Sequence, residues 1–293
     1  MKKQNYFLYP IMFVLAALIS AAAANAQNDN RIQVPLADPA RPASVRAHLL
    51  NGSLTVKGAD VKEILVEAHV RDEGREGRGE RGEGRGEGRG EGRGPSAGMK
   101  RIPMTSTGLN VEAENNQVRI STDAVQRTVD VTVTVPVHTS LSLKTVNDGN
   151  ITVTGVDGEL DIDNVNGDVS LKNVSGSVVA HALNGKVVAT FNRVDPQKPM
   201  AFSSLNGDID VTFPADIKAN VNMRTDNGEV YSDFDVQLTA TAPQQVVEDG
   251  RSQGGKYRVK VDKTVRGKIN GGGPEIQFKD FNGNIYIRKA GGK

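Results

Sequence analysis

Four histidines, His48, His69, His138 and His181, are the residues best suited by type to general-base or metal chemistry. None of them stands at a ligand spacing from another. Cysteine is absent from the 293 residues, so no thiolate nucleophile, cysteine metal site or disulfide can form. There is no Gly-x-Ser-x-Gly elbow and no His-Glu-x-x-His pair. Gly271-Gly272-Gly273 superficially suggests a phosphate loop. It lacks the Lys-Ser/Thr pair and leads into a strand-like run rather than a helix, so a glycine corner is the better reading. The carboxylates Glu159, Asp161, Asp163 and Asp168, and separately Asp208 and Asp210, are the remaining candidates. Converging across stacked repeats, they could hold Ca²⁺ or act as an acid/base pair on a polysaccharide. The residues at equivalent places in the following units, Ser170, Lys172, Val179, His181 and Val188, break such a ladder at once. No catalytic, cofactor-binding or metal-binding residue is assigned, and the chain reads as a non-enzyme without a cofactor.

The elements carrying these carboxylates are short and repeated. Glycines fall at 149, 158, 167, 176 and 185, a period of nine residues. The unit reads apolar, Asn or Asp, Gly, polar, apolar, polar, apolar, as in Val165-Asn166-Gly167-Asp168-Val169-Ser170-Leu171. Further copies run over 156–162 and 183–189, with distant ones at 50–56, 205–211, 226–231 and 281–287. Asn-Gly and Asp-Gly make sharp corners because both residues tolerate positive φ. The alternation after each corner buries Leu160, Ile162, Val169 and Leu171 and turns Glu159, Asp161, Asp168 and Ser170 to water. Strands of about three residues cannot stand alone, so the units must stack. If one coil is two units, Gly149, Gly167, Gly185, Gly207 and Gly228 share one edge, and Gly158 and Gly176 the opposite one. Val131 to Pro136 matches Ile209 to Pro214, each proline ending a strand. The expected fold is all-β, a β-solenoid or β-helix-like stack with Asn-Gly corners. The alternative is an antiparallel β-sandwich, since Asn-Gly is also a hairpin signal.

The ends and one insertion differ in character. Lys2, Lys3, the apolar run Ile11 to Ala24 and Ala24-Asn25-Ala26 read as a signal peptide over 1–26, cleaved before Gln27. The apolar run is short for a membrane span, and no second one follows, so no transmembrane span is expected after signal removal. Residues 27–42 read as an extended segment, 43–71 as the first strands, 99–289 as the repetitive β domain and 290–293 as a tail. Between them, 72–98 is an insertion of Arg, Gly and Glu in rotation. From Arg71 to Gly94 it holds seven arginines and seven acidic residues, with almost nothing apolar, and reads as disordered. Each arginine there has a carboxylate nearby to compete with phosphate, which argues against a nucleic-acid partner. Residues 147–234 carry 13 acidic and 6 basic residues, and 248–293 carry 5 and 11, a polarity read as solvated strand faces.

These residues resemble the bacterial putative-adhesin family of exported domains, over about residues 43–289. The resemblance rests on Leu50-Asn51-Gly52-Ser53-Leu54-Thr55-Val56, on the nine-residue units, and on Lys268-Ile269-Asn270-Gly271-Gly272-Gly273-Pro274-Glu275-Ile276 followed by Phe281-Asn282-Gly283-Asn284-Ile285. It implies a solenoid-like fold and an envelope location, periplasm or cell surface, and it brings no catalytic residues. The expected function is a non-catalytic, exported envelope protein presenting a repetitive β surface for adhesion or assembly. Its partner would be an envelope or extracellular ligand, a polysaccharide or a protein. The alternatives are a carbohydrate-active β-helix enzyme and an envelope sensor or accessory protein.

Overall fold

The computed structural model describes residues 31–71, 108–122, 127–239, 245–249, 257–261 and 264–291. The signal segment 1–26 and the 72–98 insertion lie outside the described residues. Those described form 22 strands and no helix, numbered here along the chain. Two faces account for 20 of them. The front sheet runs, in spatial order, β5 (Leu109–Glu114), β6 (Gln117–Thr122), β2 (Ala43–Asn51), β8 (Thr139–Asn147), β10 (Asp157–Asn166), β11 (Val169–Asn184), β13 (Met200–Asn206), β21 (Glu275–Asp280), β15 (Ala219–Thr225), β20 (Val265–Ile269) and β17 (Val236–Leu238). The back sheet runs β1 (Arg31–Pro35), β4 (Glu63–Val70), β7 (Val129–Pro136), β3 (Leu54–Ala59), β9 (Ile151–Thr154), the first residues of β11, β12 (Val187–Val194), β14 (Ile209–Phe213), β22 (Ile285–Lys289) and β16 (Val230–Ser232). β18 (Gln245–Asp249) and β19 (Tyr257–Val261) pair only with each other.

The interior pairings of both sheets are parallel, as a chain coiling in one sense requires. Each coil runs up one front strand, turns at an Asn-Gly corner and returns along one back strand. The solenoid reading holds, and the sandwich alternative does not. One expectation is corrected: front strands reach nine or ten residues rather than three. The period of nine is half a coil, so units alternate between faces. Every second residue points inward, and the two inner rows meet in one core that includes Leu141, Leu143, Leu160, Ile162, Val169 and Leu171. Each such side chain stabilises by roughly 1.5–3 kcal/mol. In the half near the C-terminus the core turns aromatic. Phe191 stacks on Phe213 at 5.2 Å and Phe202 on Phe278 at 5.4 Å.

The Asn-Gly edge is built as a ladder. Asn147 donates to Asn51, Asn166 to Asn147, Asn184 to Asn166, Asn206 to Asn184, Asn282 to Asn206 and Asn227 to Asn282, at 2.8–3.2 Å. A carboxamide carries both a donor and an acceptor, so identical side chains can bond head to tail. The glycine that follows each asparagine, directly or, at Asn147, after Asp148, lets successive corners touch. A Cβ on Gly167 would lie 2.1 Å from the Gly149 carbonyl oxygen, and one on Gly185 2.1 Å from that of Gly167.

The spatial order departs from chain order in two places. The first coil, β2 and β3, lies between the β6–β7 coil and the β8–β9 coil. The last coil, β21 and β22, is wedged between β13–β14 and β15–β16. Gly228 therefore stacks on Gly283 rather than directly on Gly207. The closing Asn270-Gly271-Gly272-Gly273 performs the crossing. β20 lies antiparallel on one side of β15, β21 parallel on the other, and the connection passes over the start of β15. There a Cβ on Gly273 would sit 2.2 Å from the Lys218 carbonyl oxygen. Antiparallel strands end the stack on both faces at one end, β5 on the front and β4 with β1 on the back; at the other end β20 and β17 do so on the front, while the back sheet ends on β16, parallel to β22. The segment expected to be extended before residue 43 supplies β1.

Candidate interaction surface

The outward carboxylates sit where the alternation places them, and most are occupied. Asp163 accepts from Lys144 at 2.7 Å, and this bond holds the lysine above its ordinary pKa. Glu159 accepts from Lys198, raising that lysine too, with Asp195 3.9 Å away. Asp168 accepts from the Lys186 amide at 2.8 Å. Asp161 lies between Ser142 and Val179 in the register. Around a recess of about 260 Å³ on the edge opposite the asparagines, Asp157 holds Arg193 at 2.7 Å and approaches His138 at 3.4 Å. Gly158 and Gly176 form part of its lining. Asp157, Glu159 and Asp163 thus stand in surface ion pairs, each answered by a cation. They differ from the arrangement of a protonated acid facing a bare carboxylate that glycoside cleavage uses.

The structure does not bring the histidines together. His48 lies beside Lys144 and Ser121, His69 opposite Asp130, and His181 Nδ1 is 2.8 Å from Ser203 Oγ. Among the described residues no group of three or more His, Asp or Glu is placed to hold a metal ion. Among them, too, no helix is long and apolar enough to cross a membrane. Asp208 and Asp210 also diverge. Asp208 accepts from the Asn284 amide at 2.9 Å, while Asp210 receives Arg288 at 2.7 Å.

One carboxylate escaped the sequence reading. Asp280, at the end of β21, is 1% exposed, and neither of its oxygens makes a well-formed hydrogen bond. Burial pushes its carboxyl up to about 6. Nearby Asp208 adds to the rise, and the Phe281 and Asn282 amides pull the other way. Its place in the coil is filled elsewhere by Asn164, Ser204 and Thr225, which donate to corner-glycine carbonyls at 2.9–3.1 Å. The signal was present in the repeat: an acid standing where other units carry a neutral donor.

The two faces present different chemistry. The front sheet carries Glu159, Asp161 and Asp163 on β10, with Arg46 beside Arg119 further along. On the back sheet one row runs Thr132, Thr55, Thr152, Ser170, Val188, Asp210, Tyr286, Tyr231 in register across eight strands. Beside it, Thr134, Lys57, Thr154 and Lys172 are neighbours in a second row. Tyr231 and Tyr286 stack at 5.2 Å with rings 9° from parallel, and the Arg288 guanidinium lies 5.2 Å from the Tyr286 ring centre. Tyr231 donates to Glu229, which raises the phenol's pKa. The arrangement is a surface of polar groups repeated at the strand spacing on strands paired in register.

Among solved structures, the chain is similar to a putative cell adhesion protein from Clostridium sporogenes, 10% identical, with a TM-score of 0.46 over 89% of this chain and 99% of that one. It is also similar to a putative adhesin from Bacteroides fragilis, 12% identical, with a TM-score of 0.28 over 88% and 95%. No curated protein matches. The family described as Toastrack DUF4097 matches residues 43–270, so that the closing glycine crossing lies mostly beyond the matched part. With most of its length matched, from the first coil to the end of β20, the chain belongs to the Toastrack DUF4097 family.

Proposed function

We propose that this is a non-catalytic, exported envelope protein whose flat sheet faces bind an extracellular or envelope ligand. The observation carrying the reading is the state of the outward carboxylates: Asp157, Glu159 and Asp163 are each matched to a cation, and Asp161 stands between neutral neighbours. A rigid stack of coils with evenly spaced side chains suits recognition by many weak contacts. Export rests on Lys2, Lys3, the apolar run and Ala24-Asn25-Ala26. The test is sedimentation of the purified chain 27–293 with envelope material from its source, alongside assays for released sugar. Retention without release is expected. Release that stops with Glu159→Gln would replace this reading with the carbohydrate-active one.

A further inference from the structure

The back sheet differs from the front in what its centre lacks. From β7 through β12 its two outward rows hold threonines, Ser170, Val188 and the lysines Lys57 and Lys172, with no carboxylate among them. The front strand β10 alone carries four, Asp157, Glu159, Asp161 and Asp163. Lys144, Lys198, Arg193 and Arg288 each meet an acid. Lys57 and Lys172 are exposed and face threonines instead. They lie two strands apart, with β9 between them, so their stems are about 9.6 Å apart along the stack. Both stand on parallel strands bonded on either side, so the spacing is fixed.

We propose that this back face binds an acidic polysaccharide laid along the stack, its anionic groups meeting Lys57 and Lys172 and its hydroxyls meeting the flanking threonines. The inference rests on the binding reading above and names the ligand class. Charge complementarity selects a polyanion, because two ammonium groups without an acid partner, on rows that hold no carboxylate from β7 through β12, raise local anion concentration. The hydroxyl rows select a sugar over a nucleic acid. The fixed forks favoured for phosphate are not free, since the arginines of the described back strands, Arg31, Arg193 and Arg288, are held by Glu67, Asp157 and Asp210. Tyr231 and Tyr286 stack on each other, so they offer ring edges and one end of a pair rather than a series of platforms for bases.

The experiment titrates the purified chain 27–293 with polygalacturonate, neutral dextran and duplex DNA at two salt concentrations. Its variants are Lys57→Glu/Lys172→Glu and, as a front-face control, Lys279→Glu. Polygalacturonate should bind, at least tenfold more weakly to the double variant, unchanged by Lys279→Glu, and more weakly at high salt. Unfolding curves should be alike for all three proteins. Equal binding by the double variant, or equal affinity for duplex DNA, would overturn the assignment. Binding of dextran as tight as that of polygalacturonate would do so too. If the chain still sediments with envelope material but ignores polygalacturonate, only this inference fails. If it does neither, the binding reading fails with it.

Discussion

Replacing Asp280 with asparagine should stabilise the protein at neutral pH, against the usual direction for a buried substitution. The carboxyl is 1% exposed, and burial raises its pKa from 3.8 to about 6. At about 1.36 kcal/mol per unit, the ionised form costs the fold roughly 3 kcal/mol at pH 7. The sign follows from the raised value. The folded state binds the proton more tightly than the unfolded chain, so stability grows as pH falls through about 6 and levels off below about 4. Asparagine removes the charge and adds a donor. Asn164, at the equivalent place, gives its amide to the Gly149 carbonyl at 3.1 Å. The Gly207 carbonyl is available in the same way: a Cβ on Gly283 would lie 2.6 Å from that oxygen and 2.8 Å from Asp280 Oδ2. Urea unfolding of Asp280→Asn and the unaltered chain at pH 7.5 and 4.5 is the measurement. The variant should be more stable by about 2–3 kcal/mol at pH 7.5, with most of the gap closed at pH 4.5. A variant less stable at pH 7.5, or a gap that does not change with pH, would refute the argument.

Four other outcomes follow from the same geometry. Leu171→Ala should lose roughly 2–5 kcal/mol in denaturant unfolding, since Leu171 is 1% exposed, while Asp161→Ser should stay within about 0.5 kcal/mol. Gly167→Val should be worse than either, because a Cβ there meets the Gly149 carbonyl at 2.1 Å; soluble yield and melting temperature will show it. Asn184→Asp should weaken the stack more than Asn184→Ala, since a carboxylate cannot donate to Asn166 and faces that residue's oxygen at 2.9 Å. Mass spectrometry of the exported chain should find Gln27 first, and an intact Met1 in the membrane fraction would contradict the signal reading.

The repeat made much of this legible. Alternation assigned Leu160, Ile162, Val169 and Leu171 inward, and all are at most 2% exposed. The glycine spacing placed Gly149, Gly167, Gly185 and Gly207 on one edge, where each touches the next. Spatial order was not legible, because Phe281-Asn282-Gly283 carries the same local signature wherever its coil is inserted. A periodic pattern records which residues face inward, not which coil lies beside which. The asparagine ladder was half visible: the residue type is in the sequence, but the head-to-tail bonding depends on coils whose partners can be 96 residues apart. Asp280 was missed because an acid in a strand reads as outward until its register is known.

The wedged last coil sets when the protein can finish folding. β13 and β15 are separated by only a short stretch of chain, yet the strand that joins them, β21, arrives more than 50 residues after β15 begins. A chain emerging N-terminus first, from a ribosome or through a translocation pore, therefore holds an open slot until residues 275–289 appear. During that interval the facing edges of β13 and β15 are unpaired, and long-range β closure is intrinsically slow. The finished stack gains a lock from the same delay, because unravelling from the C-terminus must break β21 and β22 away from partners on both sides at once.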